Sequence, residues 1–127
     1  MSVLVDTSVW VAYLRGTDCL EEMDFLIDEG LLAINSLILA ELLPSLLLRR
    51  KRDLVSLLRE VPQQPMSIDW DDLVAMQTTC LRNGINKVGI PDLIIVQHAM
   101  RHRQRVFSVD KHFRLLATVL PIDLFEL

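Results

Sequence analysis

Apolar positions along the chain alternate between short continuous runs and longer runs with helical spacing. Residues 3–5, Val-Leu-Val, form a continuous apolar run and read as a short buried strand. Thr7 or Ser8 can cap a helix through Trp10, Val11 and Leu14, which Gly16 ends. Leu20, Met23, Phe25, Leu26 and Ile27 supply the apolar positions of a second helix over residues 19–29, stopped by Gly30. Residues 31–34 read as a second buried strand. Ser36 can cap a third helix through Leu37, Ile38 and Glu41, and Pro44 is expected to kink or end it. A further helix is expected over residues 51–61, a loop at Pro62 and Pro65, and a long helix over residues 69–83 closed by Gly84. Pro91 marks the first turn of a helix that runs to His102, with Asp92 in that turn. A strand over residues 106–109, a short helix over 113–117 and a last strand over 120–124 complete the pattern.

Strand-like and helix-like runs in alternation point to an α/β domain. No repeat, low-complexity tract or linker divides the chain, and 127 residues suit one domain over residues 1–127. With 51% hydrophobic residues, the core needs neither disulfides nor a structural metal. The two cysteines, Cys19 and Cys80, are expected as reduced thiols. Residues 1–5 lack the positive start of a signal peptide, and Asp6 ends the apolar run. The apolar stretch at residues 37–48 is interrupted by Glu41 and Pro44 and is shorter than the ~20 residues of a membrane span. A soluble, cytosolic protein is therefore expected.

The net charge of −4 argues against a large non-specific nucleic-acid platform. The distribution is uneven: acids crowd residues 18–29, while Arg49, Arg50, Lys51 and Arg52 form one basic run. Arg101, Arg103, Arg105, Lys111 and Arg114 form another. Each run alone reads as a solvated face; together they can contact a phosphate backbone locally.

Four carboxylates carry the candidate chemistry. Asp6 and Asp110 follow apolar strands, and in open α/β sheets ligands bind beyond the carboxyl ends of strands, where strand order reverses. Glu41 lies among Leu37, Ile38, Leu39, Ala40, Leu42 and Leu43, a setting that is costly for a lone charge without a partner or cation. Asp92 by itself reads as an ordinary first-turn acid that complements the helix dipole. Brought together, each pair at ~5 Å would repel by roughly 3 kcal/mol at an effective dielectric near 20. No lysine cluster accompanies these positions, so a hard cation such as Mg²⁺ or Mn²⁺ is the expected counter-charge. Competing constellations are weaker. His98 and His102 share a helix face, but no zinc motif accompanies them, and they are expected to be solvated or to face a nucleic acid. Trp10 and Trp70 are expected in core or half-buried packing. No Gly-rich phosphate loop occurs, and Ser8 stands where a haloacid-dehalogenase-like phosphatase would carry a second acid.

These segments carry a family resemblance. Val5-Asp6-Thr7-Ser8-Val9-Trp10 resembles the N-terminal signature of the PIN-domain nucleases. Ser36 with Leu39-Ala40-Glu41-Leu42 is similar to the family's second acidic segment, Ile90-Pro91-Asp92-Leu93-Ile94 to its third, and Phe107-Ser108-Val109-Asp110-Lys111-His112-Phe113 to its fourth. Their order, spacing and small size resemble most the VapC toxins of toxin–antitoxin pairs, over essentially the whole chain. The resemblance implies a Rossmann-like three-layer fold with a five-stranded parallel sheet and a Mg²⁺- or Mn²⁺-dependent endoribonuclease. It also implies a homodimer and a small antitoxin that blocks the site. Asp6, Glu41, Asp92 and Asp110 inherit the catalytic and metal-binding roles, and Ser8 and Ser108 supporting hydrogen-bond roles. Arg49, Arg50, Arg52, Arg101 and Arg103 are expected to hold RNA at the cleft rim, and the leucines of residues 39–58 to form the dimer face. Two alternatives stay open: an RNA-processing nuclease with no toxin role, and a catalytically silent RNA- or protein-binding module.

Overall fold

A computed structural model describes residues 1–126. The described residues form three strands and seven helices in the order β1 (Val3–Val5), α1 (Thr7–Arg15), α2 (Leu20–Asp28), β2 (Leu32–Ala33), α3 (Ser36–Leu48), α4 (Arg52–Glu60), α5 (Trp70–Arg82), α6 (Ile90–Arg101), β3 (Arg105–Phe107) and α7 (Lys111–Ala117). The sheet is parallel throughout, with order β2-β1-β3 and register Leu4 opposite Ala33 on one side and Val106 on the other. All three residues of β1 are buried. Successive strand side chains point to opposite faces, so both faces of the central strand are covered, the mark of a three-layer α/β arrangement.

The implied five strands are reduced to three. The outer two pairings survive as single parallel bridges, Ile34 with Gln63 and Val106 with Leu124. The strand expected at residues 120–124 is therefore one bridge wide. Pro121 has no N–H to donate to a ladder, which keeps that segment from pairing further. Strand β3 is also displaced, starting at Arg105 and ending at Phe107, so Asp110 follows it at a distance of two intervening residues.

Helix starts differ from expectation in an informative way. Asp6, not Thr7 or Ser8, caps α1, and Asn35, not Ser36, caps α3, its Oδ1 accepting from the Ile38 N–H at 3.0 Å. Asp110 likewise caps α7, accepting from the His112 N–H at 2.9 Å. For α1 and α3 the capping side chain is the first polar residue after the strand, whereas Ser108 comes before the cap of α7. Pro44 does not end α3, which runs on to Leu48. The proline forgoes one bond to the Ala40 carbonyl, but Leu42, Leu43 and Leu46 around it are buried and hold the helix in place.

Helix α6 is the hydrophobic axis of the domain: every residue from Leu93 to Ala99 is buried. Its buried polar residues are bonded. Gln97 takes the Asp69 N–H at 3.1 Å and donates to Asp72 Oδ2 at 2.8 Å, tying α6 to the start of α5. His98, expected solvated, is instead buried, with Nε2 3.1 Å from Gln64 Oε1. Burial, then the nearby His102, pushes its pKa down to about 4. Trp10 is buried as expected, whereas Trp70 opens α5 with 63% of its surface exposed. Cys19 and Cys80 are buried free thiols. Among the described residues no helix is long and apolar enough to cross a membrane.

Candidate active site

Strand order reverses at β1: the chain first crosses to β2 on one side and later to β3 on the other. The crevice beyond the carboxyl ends of β1 and β3 is thus the switch point of this sheet. The Asp6 N–H donates to the Phe107 carbonyl at 2.9 Å, which brings the two strand ends side by side.

Asp6 sits in that crevice, buried to 6% exposure, and its carboxylate is held on one side only. Oδ2 accepts from Ser8 Oγ at 2.7 Å, Ser108 Oγ at 2.9 Å and the Ser8 N–H at 3.4 Å. Each serine also accepts a backbone N–H, Ser8 from Val109 at 3.3 Å and Ser108 from Asp110 at 2.9 Å. Since each hydroxyl has a single proton and spends it on Asp6, the 3.2 Å approach of the two serine oxygens is a consequence of sharing one acceptor. The serines therefore lock the β1–α1 junction to the β3–α7 junction. Asp6 Oδ1 accepts no hydrogen bond among the described residues and is left available.

Asp92 lies in the first turn of α6, and Asp110 caps α7. His112, in the first turn of α7, stands between them, with Nδ1 3.6 Å from Asp92 Oδ2 and 3.5 Å from Asp110 Oδ1. One donor atom from each of these three residues lies within 4.8 Å of the other two. Glu41 projects from the exposed side of α3 and accepts from Thr7 Oγ1 at 3.2 Å, which anchors it at the rim beside Asp6.

The electrostatics identify a shared field. Desolvation, then the charges of Asp6 and Asp110, and further that of Glu41, raise the Asp92 pKa to about 6, with His112 pulling the other way. Glu41 is raised by burial and by Asp6, against the lowering effect of its Thr7 hydrogen bond. Asp92 thus feels the other three acids, and Glu41 feels Asp6. Three of them, Asp6, Asp92 and Asp110, also sit at helix N-termini, whose positive dipole ends offset part of the repulsion and favour a further anion. The donor set is hard oxygen with one imidazole, one oxygen of Asp6 is uncommitted, and Asp92 resists ionisation without added positive charge. These features fit a divalent cation.

The expected basic residues are dispersed. Arg101 donates to the Ser67 carbonyl at 2.6 Å and pairs with Asp69 at 3.6 Å, so it braces the loop before α5. It lies nine residues along α6 from Asp92, about 14 Å away along the axis. Arg103 precedes β3 and stands at the amino edge of the sheet, opposite the carboxylates. Arg49, Arg50 and Arg52 are exposed at the join of α3 and α4. Arg49 lines a cavity of about 180 Å³ with Arg15, Lys51 and the apolar Val11, Leu14, Leu42 and Leu46. Of the expected dimer leucines, Leu39, Leu42, Leu43, Leu46 and Leu58 belong to the chain's own core, while Leu47, Leu48 and Leu57 are exposed. Sequence reasoning missed Thr7 and His112. The signal for His112 is its place two residues after an aspartate that caps a helix.

Comparison with known proteins agrees with this geometry. The family model of the PIN domain matches residues 3–119, and the chain belongs to the PIN-domain family. Its fold is similar to that of a chain in VapBC2 from Rickettsia felis bound to a DNA fragment from their promoter (TM-score 0.77, 17% identity, 98% of each chain covered). It is likewise similar to a chain of DNA-bound VapBC from Salmonella typhimurium (TM-score 0.75, 15% identity, 98% of this chain and 97% of that one). FitAcB from Neisseria gonorrhoeae gives a TM-score of 0.74 at 19% identity, covering 98% of this chain and 96% of the other. No curated protein gives a sequence match.

Proposed function

We propose that the protein is a divalent-metal-dependent endoribonuclease of VapC type, held in check by a small antitoxin. The observation that carries the reading is the arrangement around Asp6: a buried carboxylate with one oxygen locked by two serines and the other free, near enough to Asp92 and Glu41 for its charge to raise both, at the switch point of a PIN-family sheet. Asp6, Glu41, Asp92 and Asp110 would hold Mg²⁺ or Mn²⁺. When bound, such an ion activates water and neutralises charge on a phosphodiester.

The chain's own residues perform the rest. Ser8 and Ser108 fix the Asp6 carboxylate in one orientation, so that it meets its ligand without reorganisation. The N-termini of α1, α6 and α7 direct backbone dipoles toward an incoming phosphate. Asp92, with its pKa near 6, gives up any retained proton when positive charge arrives beside it. Arg49, Arg50 and Arg52 are the basic residues left free to follow an RNA backbone beyond the acidic centre. Exposed Leu47, Leu48 and Leu57 offer apolar surface for a second copy of the chain. The VapBC neighbours and the motif resemblance support an antitoxin partner. An enzyme acting on cellular RNA in this way works in the cytoplasm.

Mapping RNA 5′ ends after induced expression tests the reading. Discrete new ends are expected, absent for Asp6→Asn and suppressed by co-expression of a small protein encoded beside this one. End profiles identical for wild type and Asp6→Asn would reject the nuclease assignment. Cleavage that no neighbouring product suppresses would favour an RNA-processing enzyme instead.

A further inference from the structure

We propose that His112 is a direct ligand of the divalent ion and makes the site prefer Mn²⁺ over Mg²⁺; this rests on the nuclease reading above. The separations of Nδ1 from Asp92 Oδ2, 3.6 Å, and from Asp110 Oδ1, 3.5 Å, are nearly equal. They are too long for charge-assisted hydrogen bonds, which close to about 2.7–2.9 Å. They do match two donors on one ion: ligand bonds of about 2.1 Å put octahedral ligands roughly 3 to 4 Å apart. Asp110 Oδ1 is already bonded to the His112 N–H at 2.9 Å, so the cap itself fixes the histidine's backbone against the carboxylate it would share a metal with.

Position and burial agree with this role. His112 is neither on the outside of the helix nor packed into the core; its side chain is 28% exposed and turned to the two aspartates. The other two histidines are committed elsewhere, His98 to Gln64 and His102 to stacking on His98 at 4.4 Å. Mn²⁺ favours oxygen ligands too, but as a first-row transition ion it accepts an imidazole nitrogen more readily than Mg²⁺, which is harder and holds to oxygen. A site of four carboxylates plus one imidazole therefore discriminates between ions that carboxylates alone bind alike.

Pulsed electron paramagnetic resonance of Mn²⁺ bound to the full chain reads this out without turnover. A ¹⁴N coupling of imidazole type is expected, changing to the ¹⁵N pattern in protein made with ¹⁵N-histidine and vanishing in His112→Gln. Titration should show Mn²⁺ affinity falling ~10-fold or more in His112→Gln with Mg²⁺ affinity nearly unchanged. Mn²⁺ bound stoichiometrically with no nitrogen coupling in the wild type would overturn the ligand role and leave the nuclease reading standing. Tighter binding of both ions by His112→Gln would do the same, because it makes the histidine a competing positive charge. No Mn²⁺ binding at all would overturn both.

Discussion

Asp92→Asn gives the sharpest test of the electrostatics. Asp92 is 24% exposed and its pKa in the folded chain is about 6, against 3.8 as the ordinary value. The folded state therefore holds this proton more tightly than the unfolded chain does. Between pH 3.8 and 6 the native state binds more protons, so stability falls as pH rises through that window. The full penalty, present above pH 6, is about 3 kcal/mol at 1.36 kcal/mol per pKa unit. At pH 4 only about 0.5 kcal/mol of it remains. Asparagine keeps the shape and never ionises. In chelator, urea unfolding of Asp92→Asn at pH 7.5 should thus exceed wild type by about 3 kcal/mol, and the gap should shrink to about 0.5 kcal/mol at pH 4. Added Mn²⁺ should then reverse the order at pH 7.5, because it stabilises the wild type by binding the native site and the variant much less. A variant no more stable than wild type at pH 7.5, or a gap that does not change with pH, would refute the claim that mutual repulsion and burial strain this carboxylate.

Two further outcomes follow from the same structure. Ser8→Ala and Ser108→Ala should each destabilise the chain by about 1–2 kcal/mol, since each leaves a backbone N–H and Asp6 Oδ2 short of a partner. Because they share one acceptor, the double variant should depart from additivity by more than 0.5 kcal/mol in a double-mutant cycle, and strict additivity would contradict the lock. Pro44→Ala restores the missing N–H in the middle of α3 at an exposed position, and should raise stability by about 2 kcal/mol in urea unfolding. A loss of stability there would mean that the proline's packing outweighs its backbone cost.

The α/β class and all seven helices were legible in the sequence because apolar spacing and glycine stops report local structure. The helix read over residues 51–61 appears as Arg52–Glu60, and the one over 69–83 as Trp70–Arg82. Part of what escaped was set by contacts distant in sequence. The edge strands shrank to single bridges, Gln63 with Ile34 and Leu124 with Val106, partners far apart in the chain. Burial of His98 depends on Gln64, which lies 34 residues earlier. The capping roles of Asp6 and Asp110 were missed for local reasons. Thr7 and Ser8 looked like adequate caps, yet α1 begins directly after the strand and leaves the cap to Asp6, and α7 begins at Lys111, two residues before the helix read over 113–117, which makes Asp110 its cap. Charge runs were the least informative feature. Arg101 and Arg103 look like neighbours of Asp92 along the chain, but α6 carries them to the far edge of the sheet.

The most direct measurement is cleavage of a purified RNA by purified protein, comparing wild type with Asp6→Asn in Mg²⁺, in Mn²⁺ and in excess chelator. Asparagine keeps the volume of Asp6 but removes its charge. The account predicts cleavage by the wild type only with a divalent ion, and a loss of at least about 100-fold in Asp6→Asn, equivalent to about 2.7 kcal/mol of lost transition-state stabilisation. RNA cleavage that persists in chelator, or an Asp6→Asn protein as active as wild type, would contradict it.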